Sequence, residues 1–156
     1  MQFPYTVFSL GEGEKFFSLV ARSIDEGTIA TKPYGILGAC FGIRLVVPGI
    51  RACFPIDLTL KSLFDFSCQL AHCYNCLEGE AMMISDDSSV GTIMKVSFDA
   101  KTGHVAIEGR LSMQGTNSKV SFEWKTDQSY MKPRVAVLQR FIDELADVQG
   151  FYDFPY

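Results

Sequence analysis

Residues of the kind that carry chemistry cluster in one short stretch: Cys68, His72, Cys73 and Cys76. Cys73-Tyr-Asn-Cys76 is a CxxC with a histidine directly before it. Thiolates and an imidazole are zinc ligands, and CxxC is also the reactive unit of thiol–disulfide exchange. A structural zinc site needs a second such pair, whereas Cys40 and Cys53 stand alone. In redox proteins the pair opens a helix, where the dipole favours the thiolate. Here it falls in the last turn of an expected helix, where the dipole opposes it. These cysteines are therefore expected to be small buried hydrophobes on a core helix, with no metal and no cofactor. His104 shares a polar strand face with Glu108 and Glu123, an arrangement from which a general base can be built. No Ser or Cys nucleophile has an evident orienting partner, so no catalytic residue is assigned. Asp86-Asp87 lacks the further oxygens and turn glycine of a calcium loop. Neither a GxxxxGK[ST] nor a GxGxxG phosphate motif occurs.

The 156 residues suffice for one domain, 1–156, with a core that needs no staples. A hydrophobic fraction of 47% against 21% charged residues is that of a folded protein, and thirteen Phe with six Tyr favour strands. The net charge of −4 argues against a nucleic-acid partner, which demands a cationic footprint. The start Met1-Gln-Phe-Pro lacks a basic region followed by an apolar one, and the longest apolar run is far too short to cross a bilayer. Five scattered cysteines do not make a secreted disulfide framework, so a reducing cytoplasm is expected.

The elements that position these groups follow from periodicity. Phe3–Leu10 alternates as a strand, and a Gly11-Glu-Gly13 turn leads into Phe16–Ile24, read as its hairpin partner. After a loop at 25–35, strands Ile36–Val47 and Ile50–Phe54 are hinged at Pro48-Gly49. Ser62 opens a capping box ahead of Leu63, Phe66, Leu70, Cys73 and Leu77, whose spacing is helical, and Gly79 is the expected stop. Strands follow at Glu80–Ser85, Ser89–Phe98, His104–Met113 and Lys119–Lys125. On the last two, Val105, Ile107, Leu111 and Met113, then Val120, Phe122 and Trp124, form an apolar side; Glu108, Arg110, Glu123 and Lys125 form a wet one. A helix capped at Ser129 or slightly later places Pro133 in its first turn and carries the stripe Val135, Leu138, Ile142, Leu145 and Val148. Gly150 ends it before the aromatic tail Phe151–Tyr156. No internal repeat is visible. The fold class is α+β: an antiparallel sheet or sandwich of about seven to eight strands packed by two helices, about 60–78 and 130–148.

The order of these motifs resembles the WapI-type immunity proteins, which protect bacteria from the toxic C-termini of contact-delivered polymorphic toxins, and related uncharacterised bacterial families. The resemblance rests on Leu63, Phe64 and Leu70 leading to Leu77-Glu-Gly79, then Ala81, then Thr102-Gly103-His104-Val105. It ends with Phe122-Glu-Trp-Lys-Thr-Asp-Gln128 running into the last helix. It spans roughly Leu58 to Val148; the cysteine-rich helix and the aromatic tail depart from it.

That resemblance implies a small, acidic, cytoplasmic, non-enzymatic protein that binds and neutralises a cognate toxin domain. Cognate toxins are often nucleases, whose basic clefts suit an acidic inhibitor. Immunity proteins diverge with their toxins, so contact residues do not carry over. The acidic groups of the wet face and its adjoining turn, Asp86, Asp87, Glu108 and Glu123, are the candidate partner-binding residues. The alternative is a small-ligand-binding β-rich domain with an aromatic-lined cavity between sheet and helices.

Overall fold

Alternation of apolar and polar residues, interrupted where the β1–β2, β2–β3 and β5–β6 registers shift, gives eight strands, and two stretches of helical spacing give two helices. In the computed structural model, residues 2–24, 39–87, 90–112 and 117–149 are described. The order is β1 (Tyr5–Glu12), β2 (Lys15–Ile24), β3 (Ala39–Val47), β4 (Ile50–Ile56), α1 (Leu60–Cys76), β5 (Gly79–Ile84), β6 (Thr92–Asp99), β7 (His104–Ser112), β8 (Lys119–Asp127) and α2 (Gln128–Gln149). The strands form two antiparallel four-stranded meanders, β1-β2-β3-β4 and β5-β6-β7-β8. The fold is therefore α+β, and four strands followed by a helix occur twice. This repeat of architecture has no counterpart in the sequence pattern. The loop expected at 25–35, the strand start at 36–38, Met113 and the turn after it, Gly150 and the tail lie outside the described residues. So do the side chains of Leu145 and Val148.

Each helix packs mainly against the meander other than the one that precedes it. α1 lies against β5 of the second sheet, α2 lies against β1 of the first, and the helices touch each other. Phe8 of β1 meets Phe66 of α1 edge-on at 5.8 Å, and Tyr5 stacks on Phe141 of α2 at 5.5 Å. The inner sheet faces meet where Phe17 approaches Phe122, with ring centroids 5.6 Å apart. Burying aromatic faces in this way is the main source of core stability. Tyr130 of α2 adds a polar tie: its hydroxyl accepts from the Gly11 N–H at 2.6 Å and donates to the Gly11 carbonyl at 3.1 Å. Gly11 sits at φ 97°, and a Cβ there would fall 2.1 Å from the Lys15 carbonyl oxygen.

Both helix caps differ from expectation. Thr59, not Ser62, caps α1, accepting from the Ser62 N–H at 3.1 Å. The cap lies three residues before the expected one, the helix begins at Leu60 as the span of about 60–78 requires, and Leu60 is buried. It ends on Leu77 in the left-handed region, while Gly79 already begins β5. At α2 the Asp127 carboxylate accepts from the Tyr130 N–H at 3.1 Å and from the Ser129 hydroxyl. That moves the start to Gln128 and leaves Pro133 in the second turn, where it cannot donate to the Ser129 carbonyl. No helix among the described residues is long and apolar enough to cross a membrane.

Candidate functional site

The second sheet turns its outer face to solvent, and register decides which charges meet there. Met82 of β5 lies opposite Lys95 of β6, Lys95 opposite Glu108 of β7, and Glu108 opposite Glu123 of β8. Lys95 reaches both Glu80 and Glu108, with Nζ 3.5 Å from each carboxylate. Glu108 first, then Glu80, holds the Lys95 ammonium above the usual lysine value. Glu123 faces Glu108 with no cation partner among the described residues. Like charges directly opposite on a sheet repel. The row thus leaves one carboxylate uncompensated.

These residues floor an open hollow of about 760 Å³ whose lining includes Met82, Val90, Lys95, Glu108, Arg110 and Glu123. Its apolar lip lies along β5, where Met82 and Ile84 remain 38% and 46% exposed. The outer edge of β5 is guarded: the Met82 N–H donates to Gln69 Oε1 of α1 at 2.9 Å. The floor is fixed from below by Gly109, which has no side chain and is covered by the Phe122 ring. The aromatic cavity of the ligand-binding alternative is not what this hollow offers, since its floor is charged and open. A second crevice, beside Asp57, Ser85 and Asp87, holds only about 20 Å³, room for roughly one water.

Of the four candidate residues, the structure brings Glu108 and Glu123 face to face in this hollow. Asp86 does other work. Its carboxylate accepts from the Thr59 N–H, and from the Ser62 hydroxyl at 2.9 Å, tying the end of β5 to the start of α1. The Asp87 carbonyl accepts from the Val90 N–H at 3.0 Å, closing the β5–β6 turn, and Asp87 lines the smaller crevice.

The cysteine-rich helix separates rather than gathers its ligands. Cys73 is buried, and burial, then Cys76, pushes its thiol up. Cys68 and Cys76 are exposed, and Cys76 Sγ lies 3.8 Å from His72 Nε2. Among the described residues no three His, Cys, Asp or Glu side chains are placed to hold a metal ion. His104 stands opposite Asp99 on β6 and Asp127 on β8, away from the hollow.

The outer face of the first sheet carries a feature that overall charge conceals. There β2, β3 and β4 place Arg22, Arg44 and Arg51, and these three strands hold no acidic residue. Gly42 leaves room for the Arg22 guanidinium, whose Nε lies 2.8 Å from where a Cβ would stand. Arg44 and Arg51 are exposed on the same face. The sequence signal was available, as a run of strands without Asp or Glu, but a net charge averages it away.

No protein-family model matches the chain. No curated protein matches it either. Among solved structures, that of the plant transcriptional regulator PBF-2 is similar, with a TM-score of 0.50 at 9% identity, over 92% of this chain and 86% of that one. At that identity the likeness concerns the fold alone.

Proposed function

We propose that this chain is a non-enzymatic, immunity-type protein that binds and neutralises a cognate bacterial toxin domain through the outer face of its second sheet. The observation that supports the reading is the Glu108–Glu123 pair. Two carboxylates are held opposite one another at the floor of an open hollow, and only Glu108 is neutralised from within, by Lys95. A basic side chain of a partner supplies the missing charge, and the exposed Met82 offers apolar contact beside it. Opposite charges brought together in this way speed association more than they deepen affinity. The test needs a secreted protein with a toxin C-terminal domain encoded beside this chain's gene. Absence of such a neighbour counts against the reading; where it is found, its C-terminal domain is the probe. Binding kinetics are followed for the wild type and for Glu108→Lys and Glu123→Lys. Slower association for both variants, steepest at low salt, supports the reading; unchanged kinetics, or turnover of a substrate by the purified chain alone, defeats it.

A second reading is favoured by Arg22, Arg44 and Arg51 on the acid-free face of the first sheet: contact with a polyanion such as a single-stranded nucleic acid. Salt-dependent binding of an oligonucleotide, lost on replacing Arg44 and Arg51 by Gln, favours it over the first. Absence of binding at low salt removes it.

A further inference from the structure

Each sheet has two edges, and the four edges are treated differently. α2 lies against β1, with Tyr130 hydrogen-bonded to Gly11. α1 lies against β5, with Gln69 taking the Met82 N–H. β4 carries Pro55, which has no N–H to offer a further strand. β8 is the exception. It runs nine residues, Lys119–Asp127, contains no proline and pairs only with β7 among the described residues. A long open edge is a template for another strand.

We propose that β8 pairs antiparallel with β8 of a second copy of this chain, joining two four-stranded sheets into one continuous sheet. Charge selects both the occupant and the register. Edge strands are usually guarded by charges, lysine above all, that repel an approaching copy. β8 instead carries Glu123 and Lys125 two residues apart on one face, with opposite signs. A two-fold axis beside Trp124 sets Glu123 opposite Lys125 of the second copy, and Lys125 opposite Glu123 of the second copy. Sliding the axis to Glu123 stacks that carboxylate on its own image. Sliding it to Phe122 sets Lys119 against Lys125. An odd shift mismatches the two rows of outward N–H and carbonyl groups. Axes at Ser121 or Thr126 also pair opposite charges, Lys119 with Glu123 or Lys125 with Asp127, but they overlap only residues 119–123 or 125–127. The register centred on Trp124 joins two opposite-charge pairs, without a clash between like charges, to the longer overlap 121–127. It also gives Glu123 the cation that its own sheet does not provide, since its neighbour across the strand is Glu108. The interface is isologous, as closed dimers are, and it sets the two open hollows side by side.

The experiment is sedimentation of the full chain, without any toxin domain, over a wide range of concentration. It compares the wild type with Glu123→Lys, Lys125→Glu and the double exchange Glu123→Lys/Lys125→Glu. The wild type is expected to form a dimer. Each single reversal turns two attractive pairs into two repulsive ones and weakens the dimer by at least about tenfold. The double exchange restores it. Both side chains are exposed, so folding, checked by circular dichroism, is retained. A wild type that stays monomeric, single reversals that dimerise as well as the wild type, or a double exchange that fails to recover would each overturn the proposal. With no toxin present these outcomes do not depend on whether the hollow binds one. Because the dimer occupies Glu123, the toxin reading is judged in a dimeric chain by Glu108→Lys, which lies on β7 outside the β8 pairing.

Discussion

Gly109→Ala adds one methyl group to the inner face of the second sheet, between Glu108 and Arg110. In β7 it pairs with Met94 on one side and Phe122 on the other. The new Cβ would stand 2.0 Å from Phe122 Cζ, with Cε1 and Cε2 at 2.5 and 2.7 Å, so the ring must retreat by about 1.4 Å to reach ordinary contact at 3.4 Å. Its path is closed. Phe122 is 6% exposed and lies between Phe17, 5.6 Å away on the other sheet, and Trp124, 5.4 Å away on its own strand. Forcing extra volume into a filled core costs about 1–3 kcal/mol, while removing a glycine from the unfolded chain returns about 0.4–1 kcal/mol. A net loss of about 1–2 kcal/mol follows, or a fall in Tm of about 2–8 °C for a chain of this length. Urea unfolding followed by the fluorescence of Trp124, the single tryptophan, measures it directly. In a Phe122→Leu background the ring is gone and the same methyl group should be nearly harmless, a coupling of about 1 kcal/mol. A variant as stable as the wild type, or two effects that simply add, would refute this account of the packing.

Tyr130→Phe leaves both Gly11 backbone groups without their partner and should cost about 1–2 kcal/mol by thermal unfolding. Asp86→Ala unties β5 from the start of α1; about 1 kcal/mol of stability should be lost by the same measurement. The Ser129 hydroxyl and then the Tyr130 N–H hold Asp127 below the usual carboxylate range, and the Thr102 hydroxyl and then the Lys101 N–H do the same for Asp99. Both contribute stability that is complete above the unfolded value of about 3.9 and is lost as pH falls through the lower folded values. Asp127→Asn should therefore lower Tm near neutrality and converge with the wild type in acid, flattening the acid limb of a Tm-against-pH curve. With a thiol-reactive dye, exposed Cys40, Cys53, Cys68 and Cys76 should label quickly and buried Cys73 slowly.

Most of the fold could be read from the chain because its strands obey a period of two. Val105, Ile107 and Leu111 are buried as their alternation requires, and Phe17, Leu19 and Ala21 settle the ambiguous second segment as a strand. Helix caps were misplaced where they depend on local geometry. Thr59 and Ser62 are both plausible caps, and the choice is made by Asp86, 27 residues away. Similarly, Asp127 captures the start of α2 and overrides the usual position of a proline. Glu108 and Glu123 could be placed on one face from sequence. That they oppose each other depends on the β7–β8 register, which alternation does not fix. The arginine face required knowing which strands are neighbours. Asp86 is tied to Thr59 and Ser62 on another element, which its place among candidate partner-binding carboxylates does not reveal.

Each half of the chain leaves its first strand for the other half's helix to cover. A nascent chain that has completed β1 to α1 can set Phe66 on Phe8, but it lacks the α2 that lies against β1, and the resting place of α1 on β5 is still unmade. Contacts so distant along the chain slow folding and keep greasy surface in the open while synthesis proceeds. The finished molecule gains in return an interlock, in which neither half can peel away without stripping its counterpart, so unfolding should proceed as one event.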